Sequence, residues 1–154
     1  MEQAGKTCSK KLSLLLIAFV ALIVASCAGS AGRHEEKLKD SLKASVDTFN
    51  SAFKWEDYSD AVAFVPVAKK EAFWAEVDKF KGKIRLTEYE LREVSVKEHV
   101  SSASAIVHFQ YWRPEEPSLL SVTFTQKWYY IEKDKLWKVS DSGFGAITKT
   151  PARF

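Results

Sequence analysis

With 154 residues, of which 46% are hydrophobic and 28% charged, the chain has the composition of a globular domain and not of a disordered or collagen-like one. Its net charge of +3 is spread over 23 basic and 20 acidic residues, which gives no support to a nucleic-acid partner, whose signature is a clustered basic face. Two cysteines, Cys8 and Cys27, exclude a disulfide-stapled scaffold.

Residues 1–26 have the pattern of an export signal. Lys6, Lys10 and Lys11 make a positive leader, and Leu12 to Ala25 form an apolar run. That run is shorter than the roughly 20 residues that span a bilayer as a helix. Val24-Ala25-Ser26-Cys27 then resembles the lipobox of bacterial lipoproteins, an aliphatic and two small residues before a cysteine. The resemblance implies lipidation of the Cys27 thiol and cleavage before it, so that the partner of the N-terminus is a membrane. With Ala28 after the cysteine, where aspartate is the usual inner-membrane retention signal, it further implies a cell-envelope location on the outer membrane, facing the periplasm. The competing reading is an ordinary secretory signal cut after Ala28, with Cys27 incidental.

Removing residues 1–26 leaves 20 of the basic and 19 of the acidic residues and a single cysteine. The exported part must therefore stand on its core alone, and its size suits one domain. The expected organisation is a tether at 27–33, a domain at 34–146 and a tail at 147–154.

Along that domain, Leu38, Leu42, Val46, Phe49 and Phe53 recur at helical spacing and predict an amphipathic helix from about Glu35 to Lys54. Tyr58, Ala61, Val62 and Val65 predict a shorter helix that meets Pro66, and Phe73, Val77 and Phe80 a third that stops at Gly82. After Gly82 the period changes to two. Ile84 to Val96 and Ala105 to Trp112 predict strands, and Arg113 to Ser118, with two prolines, predicts a hairpin connection. Leu119 to Ile131 sets Leu120, Val122, Phe124, Trp128 and Tyr130 opposite Ser121, Thr123, Thr125 and Lys127. Glu132 to Lys135 turns the chain into Leu136 to Ser140, where Trp137 and Val139 share a face. Helices first and strands afterwards predict an α+β fold, three N-terminal helices packed on a curved four-stranded antiparallel sheet.

This order, with a penultimate strand Thr125-Gln-Lys-Trp-Tyr-Tyr-Ile131, a last strand Lys135-Leu-Trp-Lys-Val-Ser-Asp141 and Asp57-Tyr-Ser-Asp-Ala-Val-Ala-Phe-Val65 as a short second helix, resembles the nuclear transport factor 2-like superfamily. The resemblance covers residues 34–144. It implies a cone, in which a bent sheet wraps the long helix and leaves a pocket at its open end. Members include ketosteroid isomerase, polyketide cyclases and dehydratases alongside non-catalytic binding and assembly domains, so the resemblance leaves the activity open.

If no bulge intervenes, the alternation that turns Val107, Tyr111, Phe124, Trp128, Trp137 and Val139 inward also brings in Gln126 and Asp141, with Tyr89 and Leu91 from the first strand. The candidate pocket is then Tyr89, Tyr111, Gln126, Trp128, Tyr130, Trp137 and Asp141, suited to a small apolar ligand. Asp141 is the catalytic candidate, because a carboxylate enclosed by apolar side chains has its pKa raised and can act as a base. Ser140, Ser142 and Gly143 around it favour the plainer role of a turn residue. His108 alternates with Val107 and Phe109 and belongs to the opposite face with Ile106, Gln110 and Trp112, so it does not pair with Asp141. His34, His99 and His108 lack metal-ligand spacing and Gly143-Phe144-Gly145 lacks a third glycine, so no metal or cofactor is expected. Trp112, beside the hairpin, is the candidate anchor for a partner or a second copy of the chain.

The sequence thus points to a membrane-tethered, exported, non-enzymatic binding or interaction module. The alternatives are a small lyase or isomerase of the ketosteroid isomerase type with Asp141 as base, and a structural envelope protein that dimerises through its sheet, its pocket filled by its own side chains.

Overall fold

The computed structural model describes residues 32–97 and 101–149, so the export signal, Cys27 and His99 lie outside the described residues. Contacts divide the chain into Met1–Lys37 and Leu38–Phe154. Of the first unit, residues 32–37 are helical and exposed; Gly32 and Arg33, expected in a tether, are already helical. Among the described residues no helix is long and apolar enough to cross a membrane.

The second unit carries the α+β fold. Helix α1 covers residues 38–54 of this unit, and Leu42, Val46, Phe49 and Phe53 of the predicted stripe are fully or almost fully buried. Glu56, at a φ of 61°, reverses the chain, and Asp57 caps α2 (Tyr58–Ala61) by accepting the Asp60 N–H. Pro66, lacking an N–H, separates two single 3-10 turns, Val67–Lys69 leading directly into α3 (Lys70–Phe80). Phe73, Val77 and Phe80 form the buried side of α3.

Four antiparallel strands follow as a meander in the order β1-β2-β3-β4: β1 (Arg85–Val96), β2 (Ser102–Arg113), β3 (Glu116–Ile131) and β4 (Leu136–Asp141). The predicted connection at Arg113 to Ser118 is shorter than expected. Arg113 pairs with Glu116, so Pro114 and Glu115 alone make the turn and Glu116 to Ser118 belong to β3. Pro114 fits because its fixed φ suits a turn, and Pro117 sits at the start of a strand, where a missing donor costs least.

Two irregularities in β1, between Leu86 and Glu88 and between Leu91 and Glu93, each insert one residue against β2. They keep Leu86, Tyr89, Leu91, Val94 and Val96 on the helix side although their spacing is not strictly two, and bulges of this kind bend a strand. Further irregularities lie between β2 and β3, at Tyr111 and Arg113, and between β3 and β4, opposite Lys127 and Trp128. The edge strand β4 is shielded by lysines: Lys69 Nζ donates to the Ser140 carbonyl and Lys138 Nζ to that of Ala63, both at 2.6 Å.

After β4 the chain makes a short helix, α4 (Gly145–Lys149). The boundary expected after residue 146 falls inside it. Ile147 is fully buried, so α4 is part of the core and not of a tail.

Candidate functional site

The interior of the cone is built from α1 on one side and the inward faces of β2 and β3 on the other. Two amide side chains are buried in it. Gln126 Nε2 donates to Asn50 Oδ1 at 2.8 Å, Asn50 Nδ2 donates back to Gln126 Oε1 at 3.3 Å and to the Val46 carbonyl at 2.8 Å, and both side chains are fully buried. Each amide donates one hydrogen bond to the other and accepts one from it, which is what makes burial of two polar groups tolerable. Neither titrates, so the pair can orient and link α1 to β3 but cannot move a proton. Asn50 was not singled out in the sequence, although it stands four residues after Val46, on the edge of the apolar stripe.

The candidate pocket residues do not gather around one space. Tyr111, Gln126, Trp128 and Trp137 are buried, while Tyr89 and Tyr130 are half-buried. Tyr111 pairs with Leu120 near one end of β3, and Tyr130 pairs with Trp137 near the other. Ten residues of strand separate those pairs, roughly 30 Å at strand rise. The named residues therefore line the length of the core. Trp137 Nε1 donates to Ser41 Oγ at 3.0 Å and its ring lies 5.0 Å from that of Tyr130. Trp128 packs at right angles to Phe49, with ring centroids 5.6 Å apart, and its indole N–H has no hydrogen-bond partner among the described residues.

Asp141 does not point into the cone. The irregularity opposite Lys127 and Trp128 places Ser140 as the extra residue between the paired Val139 and Asp141, which breaks the alternation on which the inward placement depended. Its carboxylate is more than half exposed, accepts the Gly143 N–H at 3.1 Å through Oδ1, and has Oδ2 4.0 Å from Lys127 Nζ. Asp141 is a turn residue that opens the link to α4. His108 lies on the outer face, its Nδ1 2.8 Å from Thr123 Oγ1.

What occupies the axis of the cone is Phe144. Its ring stacks on Phe53 at 3.8 Å between centroids and meets Phe49, Phe80, Phe109 and Phe124 at 5.5 to 5.8 Å. Gly143 makes this possible. Its φ of 76° turns the chain back over the sheet, and a Cβ there would overlap the Phe124 ring. A Gly-Phe-Gly stretch with no periodicity carries no core signal, so this residue was missed in the sequence.

Where β1 meets α1, Tyr89 OH donates to Asp47 Oδ1 at 2.6 Å and to the Asp47 carbonyl at 3.2 Å. Burial, and then the Asp47 carboxylate that accepts its proton, push the phenol up to about 12. Tyr58, packed on Phe53 with ring centroids 5.1 Å apart, is also raised to about 12, by burial and then by Glu56. Among the described residues no group of three histidine, cysteine, aspartate or glutamate side chains is arranged to hold a metal ion.

No family model and no curated protein matches the sequence. Two solved structures are similar. A ketosteroid isomerase-like protein from Erwinia carotovora atroseptica aligns at a TM-score of 0.53 and 11% identity, over 66% of this chain and 90% of that one. A SEC-C motif containing protein from Rhodopseudomonas palustris aligns at 0.50 and 13% identity, over 60% of this chain and 69% of the other. Such low identity carries the fold and leaves the activity aside. With helices on one face of a bent four-stranded meander, the chain has an α+β fold similar to that of the ketosteroid isomerase-like protein.

Proposed function

We propose that the chain is exported, that Cys27 carries the lipid that holds it to a membrane of the cell envelope, and that the domain behind it is an interaction module and not an enzyme. The anchor is supported by Val24-Ala25-Ser26-Cys27 after a positive leader and a short apolar run. Alanine at position 28 favours the outer membrane.

The reading of the domain rests on one observation, the filling of the cone by Phe144. An enzyme of the ketosteroid isomerase type works on a substrate inside the cone, and here five aromatic rings close on a sixth in that space. The buried amides Asn50 and Gln126 are bonded to each other, and Asp141 is turned to solvent. A general acid or base needs a titratable group within hydrogen-bond reach of the reacting atom.

Two measurements test the proposal. Metabolic labelling with a fatty acid labels the wild type and not Cys27→Ser; equal labelling of both sinks the anchor. Native mass spectrometry of the purified full chain in non-ionic detergent shows the bare polypeptide with its lipid; a stoichiometric copurifying apolar ligand would overturn the closed cone.

A further inference from the structure

We infer that the hairpin end of the domain carries an anion-binding cleft, separate from the cone interior and built to hold a multivalent oxyanion, a phosphate ester or a polycarboxylate. A cavity of about 460 Å³ opens there between the end of α3, the β2–β3 hairpin and α4, lined by Lys79, Lys83, Ile84, Arg113, Glu115 and Thr148. Three of the six are cations, and Glu115 is the lone acid among them. A small organic anion fits such a volume.

The cations are held by backbone that is itself fixed. Lys79 lies in the last turn of α3, where the helix dipole alone would explain a positive charge. It does not explain the rest. Gly82, at a φ of 74°, ends the helix, and the N–H groups of Lys83 and Ile84 both donate to the Phe80 carbonyl, at 3.1 and 3.0 Å. That turn sets Lys83 on the cleft wall. Lys81 and Arg85 are exposed just beyond, so the stretch Lys79-Phe-Lys-Gly-Lys-Ile-Arg85 places four cations in seven residues. Like charges this close repel. An oxyanion bound in the cleft, between Lys79 and Lys83, converts part of that repulsion into charge-assisted hydrogen bonds.

At the back of the cleft Arg113 is oriented by the protein. Its Nη2 donates to the Ile147 carbonyl at 2.7 Å, its Nη1 lies 3.8 Å from Glu116 Oε1, and its guanidinium sits 5.7 Å from the centre of the Tyr111 ring. The side chain is only 12% exposed. A guanidinium held in this way, its charge shared with Glu116, is oriented at the site without paying ordering entropy when the ligand arrives. Ile84 and Thr148 complete the lining, the Thr148 hydroxyl donating to the Gly145 carbonyl at 3.1 Å.

The test uses the full chain in non-ionic detergent, titrated calorimetrically at fixed ionic strength with inorganic pyrophosphate, with citrate and with chloride. Saturable one-to-one binding of pyrophosphate or citrate, and none of chloride, is the expected result; pyrophosphate alone assigns a phosphate ester, citrate alone a carboxylate ligand. Lys79→Gln with Lys83→Gln weakens that binding at least about tenfold, since each removes a charge-assisted contact. Both side chains are exposed, so the fold is retained, and Lys83→Gln alone, beyond the helix end, still weakens binding about threefold. Lys133→Gln with Lys135→Gln, the same loss of charge in the β3–β4 turn, leaves it unchanged. No preference for either oxyanion over chloride, or equal weakening by the two double variants, overturns the site.

Discussion

The two ends of the core are closed by different physics. At the hairpin end one aromatic ring, Phe144, sits among five others on a chain reversed by Gly143, and Ile147 packs behind it. At the end where α1 of this unit begins, closure is shared between a half-buried Leu38, the Tyr130–Trp137 ring pair and a single hydrogen bond from Trp137 to Ser41. One closure is concentrated and apolar, the other distributed and partly polar. A substrate pocket in this fold depends on whether the axis is left empty, and here residues added after the last strand fill it.

The sharpest way to break that contrast is Phe144→Ala. Removing a fully buried phenyl group costs about 3–5 kcal/mol, transfer and cavity terms together, and the loss is read from urea unfolding of the full chain in detergent. The void left on the axis is lined by rings and stays dry, so the variant also gains saturable binding of benzene. A cost under about 1.5 kcal/mol would mean that the neighbours collapse into the space and that Phe144 does not hold the cone closed.

Next in size is the amide pair between the two ends. Asn50→Leu leaves a buried Gln126 with unmet donors and acceptors and costs about 1–3 kcal/mol, as does Gln126→Met from the other side. The double variant replaces both partners with apolar groups of similar shape and recovers most of the loss. Additive single effects in this cycle would show that the two amides are satisfied independently.

Ser41→Ala probes the distributed end. It removes the acceptor of the Trp137 indole N–H and costs about 1 kcal/mol, a fraction of the Phe144→Ala effect. A loss as large as that of Phe144→Ala would erase the difference between the ends.

Helix α1, α3, the inward faces of β2 and β3 and the α+β order were all legible, because each is a long run whose period follows directly from one face being buried. Asp141 was not, because a single extra residue at Ser140 reverses every side chain after it and leaves no mark in composition. Phe144 was not, because its burial depends on a positive-φ glycine folding five residues onto a distant sheet, a tertiary fact without local period. The sheltered arginine of the cleft was hidden in the same way. Arg113 reads as a loop residue beside Pro114, and only the two-residue turn, pairing it with Glu116, brings it under α4.

The smallest effect concerns the side wall, where β1 leans on α1. Tyr89→Phe removes the hydrogen bond to Asp47 and costs about 1 kcal/mol at neutral pH. The neutral phenol is the form that the folded state favours, since its pKa is raised from 10.0 to about 12. Its contribution is therefore complete below pH 10 and is lost as the pH rises toward 12. The stability gap between wild type and Tyr89→Phe should close over that interval, while Tyr58, which also titrates late, is present in both proteins and cancels. Tyrosinate absorbance supplies an independent reading: the variant loses one phenol from the late-ionising group. A gap that stayed constant through pH 12 would mean that the Tyr89 proton is not held by Asp47, and that the side wall is secured by packing alone.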